Sequence, residues 1–382
     1  MNGRWRTAAL VAGVAGAVVT GAVVGVATRG RRARRHLEAD GPAIGELAPD
    51  RESTVVAEDG VPLAVAEIDP EDGGKPELTV VFVHGFVLDR RMWHYQRLEL
   101  AKHTEPRIRI VLYDQRSHGR SGRSERRAST IEQLGRDLDA VLRTLAPDGP
   151  LVLVGHSMGA MTIMALAEQQ PELFAPHENA SRFRGDPPCM RRVSGVALLC
   201  TSAGDLASMR LARPFLAPRS RIAAVGTVAA VTGPGLVEWG RRVSADATRP
   251  IIRTLAFGAR RPALELLDLM DRMIAGISLE AMTSFLRTLG EHDRYRALAG
   301  LRHCDVLVMG GDADRVTPYT HTEALAAELP DAELVRVPGA GHLAPLEEPE
   351  FVNEHLVELI RRCRPRGRWR RRRPGRDVPF RQ

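Results

Sequence analysis

Residues 151–160 read LVLVGHSMGA. Four apolar residues, Leu151 to Val154, run into a Gly-x-Ser-x-Gly box formed by Gly155, His156, Ser157, Met158 and Gly159. Apolar residues at helical spacing follow at Met161, Ile163, Met164, Leu166 and Ala167. Strand, tight turn and helix is the context in which such a box carries chemistry. The turn is sharp enough to strain the serine backbone, and glycine lets neighbouring chain approach closely. Ser157 is thereby lifted clear of the strand's end. The N-terminus of the following helix offers backbone N–H groups where an oxyanion would form. Ser157 is the candidate nucleophile; the competing reading is a serine that merely caps the helix.

Residues 53–68 predict a hairpin turning at Asp59-Gly60. A continuous apolar run predicts a strand at 78–83, and apolar-rich stretches predict further strands at 108–113, 193–199, 304–309 and 333–337. Helical patterns lie between them at 90–102, 320–329 and 350–362, and Ser129 with Glu132 forms a capping box for a helix reaching about Leu145. Strands that are apolar throughout and alternate with helices predict a mostly parallel sheet covered on both faces, an α/β fold. Residues 202–300 interrupt the alternation. They show helical spacing at Leu264, Leu267, Met270, Met273 and Ile274, and again at Met282, Phe285, Leu286 and Leu289. That stretch is too long for a plain crossover and reads as a helical cap insertion. The expected organisation is therefore an N-terminal segment 1–36, a linker 37–52, core 53–201, cap 202–300, core 301–362 and a tail 363–382.

A serine hydroxyl is a weak nucleophile at neutral pH, so it needs a base, and the base needs orienting. His342, in Pro338-Gly339-Ala340-Gly341-His342, follows the strand at 333–337 and so belongs to the same edge of the sheet as Ser157. His84, His118 and His156 lie near that edge too, but the sharp turn directs the His156 and Ser157 side chains differently. The acid lies in the loop Gly310-Gly311-Asp312-Ala313-Asp314-Arg315-Val316-Thr317-Pro318. Asp314 stands deeper in that loop and is preferred; Asp312 is read as capping the turn, and Asp205 is a third candidate. The oxyanion donors would be the backbone N–H groups of Met158 and Phe86, the latter following His84-Gly85.

The series His84-Gly85-Phe86, Asp114 through His118-Gly119-Arg120-Ser121, Gly155–Gly159, Asp314 through Pro318 and Gly341-His342 resembles the α/β-hydrolase fold superfamily, in its capped esterase, lipase and haloperoxidase-like branch. The resemblance covers about residues 53 to 362. It implies a Ser–His–Asp triad in which the second Asp of the Gly-Asp-x-Asp loop, Asp314, is the acid. Ser117 stands where that family usually has glycine, and the loop 171–192 is longer than usual. A serine at position 157 argues against the relatives of this type that use an aspartate nucleophile. The expected activity is hydrolysis of a carboxylic ester, lipophilic if the cap is apolar, with no cofactor or metal. A thioesterase or C–C bond hydrolase would use the same residues, and a non-catalytic binding module on this scaffold is the reading from another class.

The 382-residue chain carries a net charge of +7, but unevenly. Residues 1–36 hold seven Arg and no acid, and residues 361–382 hold eleven Arg and one Asp, which leaves the body acidic. The high pI therefore reflects the ends and is weak grounds for nucleic-acid binding. Residues 8–27 are free of charge, long enough for a helix to cross a bilayer, and are followed at once by five Arg. The expectation is a single-pass anchor with the following domain on the cytoplasmic face, and the rival is a cleaved signal peptide with secretion. The Arg-rich tail would add to the attraction of an anionic membrane surface. Four widely spaced cysteines, at 189, 200, 304 and 363, form neither a metal-type pair nor a disulfide framework.

Overall fold

The structure, a computed structural model, describes residues 43–175, 192–206, 253–259 and 261–364. The N-terminal apolar segment, the Arg-rich tail beyond Arg364, Cys189, most of the loop 171–192 and part of the expected cap lie outside the described residues.

Among the described residues eight strands form one sheet: β1 (Arg51–Val56), β2 (Pro62–Ile68), β3 (Leu78–Val83), β4 (Ile108–Tyr113), β5 (Pro150–His156), β6 (Arg192–Leu199), β7 (Asp305–Gly311) and β8 (Glu333–Val337). Their order across the sheet is β1-β2-β4-β3-β5-β6-β7-β8. β1 pairs antiparallel with β2, and β2 antiparallel with β4. All the other pairings are parallel. The lead-in hairpin turns at Asp59-Gly60, as its sequence implies, with Gly60 at φ +85°.

The pleat sorts the apolar runs into two cores. On β3, Val80 and Phe82 face one core while Val81 and Val83 face the other. β5 divides the same way, Val152 and Val154 against Leu151 and Leu153. Period-2 sorting of an all-apolar strand is what burial on both faces requires. On the first face lie α1 (His94–Leu100), which contributes Leu100, and the closing helix Pro349–Arg362, with Val352, Leu356, Leu359 and Ile360. On the second lie α2 (Ile131–Leu145) and α3 (Met158–Gln169), which supply Leu138, Val141, Leu142, Ile163 and Met164.

The capping box at Ser129 is displaced by one residue. Thr130 is the N-cap, in extended conformation, and its hydroxyl accepts from Gln133 N–H. The Ser129 hydroxyl instead donates to Glu125 O at 3.2 Å, and Glu132 pairs with Arg294.

Between β6 and β7 the described residues include α4 (Leu264–Gly276) and α5 (Leu279–Gly290). α5 is joined to the body of the fold. Phe285 and Leu289 pack with Met158, Met161, Ile131 and Leu134, and Thr288 Oγ1 accepts from Ile131 N–H at the start of α2, at 3.3 Å.

The chain moves from β3 to β4 on one side, then crosses to β5 on the other. The strand order therefore reverses around β3, and such a reversal opens a crevice at the carboxyl ends of the strands. The segments that follow β3, β4, β5, β6, β7 and β8 all emerge at that edge.

Among the described residues no helix is long and apolar enough to cross a membrane. Cys200 and Cys363 are buried free thiols and Cys304 a half-buried one. Burial pushes the Cys363 and Cys304 thiols up to about 12.

Candidate active site

Ser157 occupies the turn between β5 and α3 with φ +52° and ψ −117°. A non-glycine residue with positive φ in so sparse a region of backbone space persists only where its surroundings hold it. Here the main chain is held from both sides: Ser157 N–H donates to Leu199 O at 2.9 Å, and Ser157 O accepts from Thr201 Oγ1 at 2.9 Å. The flanking glycines are required by contact. A Cβ on Gly155 would lie 2.6 Å from the Ala160 backbone, and one on Gly159 would collide with the carbonyl oxygens of Val83 and His84. These are backbone atoms of a central strand and of the loop after it, and neither moves cheaply. Gly159→Ala is expected to destabilise the fold by about 1–3 kcal/mol, read as a lower thermal midpoint. A wild-type midpoint would show that α3 slides freely on β3.

The loop after β8 brings His342 to Ser157, with Nε2 3.0 Å from Ser157 Oγ. The other ring nitrogen, Nδ1, lies 2.9 Å from Asp314 Oδ2. A carboxylate only accepts, so Nδ1 carries the proton, and Nε2 is left with a lone pair directed at the serine hydroxyl. Asp314 Oδ1 accepts from the N–H groups of Val316 at 2.7 Å and Thr317 at 2.9 Å, and Oδ2 also accepts from Thr317 Oγ1 at 2.9 Å. Burial works to raise the Asp314 pKa. The charge and hydrogen bond of His342, with the backbone donors, outweigh it and hold the carboxyl below the usual range.

The rival candidates are placed elsewhere. Asp312 is exposed and accepts from Gly339 N–H at 2.7 Å, the turn-capping role its position implied. Asp205 is an exposed residue just past β6 with φ +62°. His156 turns away from Ser157, its Nε2 2.7 Å from His342 O. His84 accepts from Gln115 N–H through Nε2 at 2.9 Å, which fixes its Nδ1–H on Gly85 O at 2.8 Å. His118 donates from Nδ1 to Arg116 O at 2.9 Å, and burial, the larger cause, together with His84 holds its pKa down at about 3.

The His84-Gly85-Phe86 loop lies against the serine: a Cβ on Gly85 would stand 3.2 Å from Ser157 Cβ. Among the described residues the backbone N–H groups of Phe86 and Met158 donate to nothing. One side chain ties the two segments together. Gln115 Nε2 donates to His84 O at 2.6 Å, and its Oε1 lies 2.8 Å from Thr162 Oγ1, which is 3.0 Å from Met158 O. Gln115 and Thr162 carry no mark in the sequence because they meet each other across 47 positions. Thr317 is held by Asp314 within one turn of the same loop, and Glu347 binds Gly341 and Leu343 nearby but reaches Gly258 across 89 positions. Ser117 does carry a local mark: its φ of +64° is the conformation that suits the glycine it replaces.

A hydroxyl, an imidazole and a carboxylate joined in series, beside two undirected N–H donors, can deprotonate an alcohol and stabilise the oxyanion its attack creates.

The profile of the alpha/beta hydrolase family matches residues 80–355. The chain is 24% identical over 298 residues to the dihydrolipoyllysine-residue acetyltransferase component of the acetoin cleaving system of Pseudomonas putida, covering 76% of this chain and 66% of that protein. It thus spans about two thirds of that relative's length. It is 25% identical over 284 residues to the hydrolase YugF of Bacillus subtilis (strain 168), covering 74% of this chain and 90% of the relative. Among solved structures, a thermophilic esterase from Thermogutta terrifontis has the same fold, with a TM-score of 0.59 and 24% identity, covering 82% of this chain and 99% of that one.

Proposed function

The chain belongs to the alpha/beta hydrolase family, and from that premise we propose that it is a serine hydrolase that cleaves carboxylic esters through an acyl-enzyme. One observation carries the reading: the unbroken series Ser157 Oγ, His342 Nε2, His342 Nδ1, Asp314 Oδ2, with links of 3.0 and 2.9 Å. Ser157 Oγ attacks the ester carbonyl carbon and passes its proton to His342 Nε2, while Asp314 stabilises the imidazolium that forms. The carbonyl oxygen, now negative, takes the Phe86 and Met158 N–H groups. Collapse expels the alcohol, which leaves with the proton from His342. Water, deprotonated by the same imidazole, then releases the acid and restores Ser157.

Met158, the residue after the serine, belongs to an apolar cluster with Phe285 and Leu206, and Phe86 packs against it; these residues favour an apolar acyl group, so a lipophilic ester is preferred. Residues 202–300 would form the cap over it. Residues 8–27 would hold the enzyme at a membrane, with the catalytic domain on the cytoplasmic side; these residues lie outside the described part of the chain.

The test is a panel of p-nitrophenyl esters of rising chain length, matched thioesters and diketones, with the full chain as enzyme. The expected result is turnover of oxygen esters first, together with labelling of Ser157 by a fluorophosphonate. Preference for thioesters or diketones would keep the triad and replace the substrate. No turnover and no labelling would leave a binding module on this scaffold.

A further inference from the structure

The base of the series is a side chain on a loop, and its reach to Ser157 is only as good as the placement of its main chain. The peptide unit between His342 and Leu343 is held at both ends. Its carbonyl oxygen, His342 O, lies 2.7 Å from His156 Nε2. Its N–H, on Leu343, is shared between Glu347 Oε1 and Ala256 O, each at 3.2 Å. The carbonyl and N–H of a trans peptide point in opposite directions, so these partners grip it from opposite sides. Glu347 Oε1 also accepts from Gly341 N–H at 2.9 Å, and its Oε2 accepts from Gly258 N–H at 2.7 Å. One carboxylate thus binds the N–H groups on both sides of His342 and ties the loop to the segment around Gly258.

His156 is built for its half of this grip. It is fully buried, its ring stands 4.9 Å from that of His342, and the Trp93 ring meets it edge-on at 6.5 Å. A carbonyl only accepts, so His156 must carry its proton on Nε2. Nδ1 has no partner among the described residues, which leaves the donor to His342 O as the ring's single hydrogen bond there.

We propose that His156 and Glu347 are positioning residues that clamp the main chain of His342, so that the serine's own sequence neighbour sets the register of the base against Ser157. The proposal rests on the reading of Ser157, His342 and Asp314 as a triad. Neither residue hydrogen-bonds to the reacting side-chain atoms; both bind main chain at His342. The clamp acts through geometry, and misplacement of a reacting group by about 1 Å is worth up to about 100-fold in rate.

The test uses the full chain, p-nitrophenyl acetate hydrolysis and the rate of fluorophosphonate labelling. His156→Phe fills the same space but cannot donate. It is expected to lower kcat by about 10- to 100-fold, with KM within about twofold of wild type and labelling slowed by the same factor as kcat. His156→Gln presents an amide N–H near the position of Nε2 and should recover most of that loss. Glu347→Ala should lower kcat in the same range. Glu347→Gln keeps an acceptor for Gly341 and Leu343 but turns an NH₂ toward Gly258, so its loss should be smaller. Wild-type kcat and labelling in His156→Phe, or a His156→Gln as poor as His156→Phe, overturns the proposal. If His156→Phe does not fold, wild-type kcat in both Glu347 variants overturns it instead. Ser157→Ala separates the two readings: full hydrolysis there removes the triad itself, whereas an inactive Ser157→Ala beside a fully active His156→Phe removes the clamp alone.

Discussion

Ser157→Ala is expected to fold normally and to lose ester hydrolysis by about 10⁶-fold in kcat, the scale on which a serine hydrolase loses its nucleophile. The two halves of this expectation have separate causes. Folding should survive because what holds the turn is main chain: Ser157 N–H on Leu199 O and Thr201 Oγ1 on Ser157 O remain with alanine. The φ of +52° is no harder for alanine than for serine. The hydroxyl's partner is His342 Nε2, and without it the imidazole has no nucleophile to activate. Residual hydrolysis would come from the oxyanion donors and binding alone. The measurement is p-nitrophenyl ester turnover together with fluorophosphonate labelling, with a thermal melt as the folding control. Wild-type turnover in a folded Ser157→Ala would sink the serine mechanism. His342 or a water would then have to be sought as the attacking group.

The sheet was legible in the sequence because its central strands are buried on both faces and so read as unbroken apolar runs. Leu78–Val83 and Ile108–Tyr113 begin and end where their residues predict; the edge strand Glu333–Val337 does too, although only its Val335 and Val337 are buried. β7 runs on to Gly311, past the expected end at Met309, because Gly310 and Gly311 continue to pair with Arg336 and Val337. Apolar patterning is silent about glycine. The helix starts one residue later than the capping box at Ser129 implies, because Ser129 and Thr130 are equally able caps by composition. What separates them is that the Ser129 hydroxyl is already bound to Glu125 O.

Ser157, Asp314 and His342 were legible for a different reason. Each follows a strand of a parallel sheet, and topology alone then brings them to one edge. Their oxygen and nitrogen atoms meet in the structure at hydrogen-bonding distance. The supporting contacts were not legible. Gln115 reaches Thr162 across 47 positions and His156 reaches His342 across 186. No periodicity encodes such a pairing, and Glu347 in isolation reads as one more charge near a helix start.

Asp314→Asn is expected to lower kcat by about 10⁴-fold, although it replaces a carboxylate by a group of the same shape. The structure says which way the amide must turn. Asp314 Oδ1 faces two backbone donors, Val316 N–H at 2.7 Å and Thr317 N–H at 2.9 Å. An amide NH₂ placed there would oppose donor to donor, so the amide oxygen takes that position and the NH₂ faces His342 Nδ1. A donor facing Nδ1 demands a lone pair on it, which moves the ring proton to Nε2. Nε2–H then donates toward Ser157 Oγ, and the imidazole cannot accept the hydroxyl proton in the step that matters. The variant keeps the hydrogen-bond count while reversing the direction of the series. Asp312→Asn is the control. Asp312 is exposed and needs only an acceptor for Gly339 N–H, which asparagine retains, so its effect should stay within about 0.5 kcal/mol, roughly a factor of two. Steady-state kinetics of the two variants on one p-nitrophenyl ester decides between the carboxylates. A large loss in Asp312→Asn with Asp314→Asn near wild type would assign the acid to Asp312 and require the loop to rearrange in the reacting enzyme.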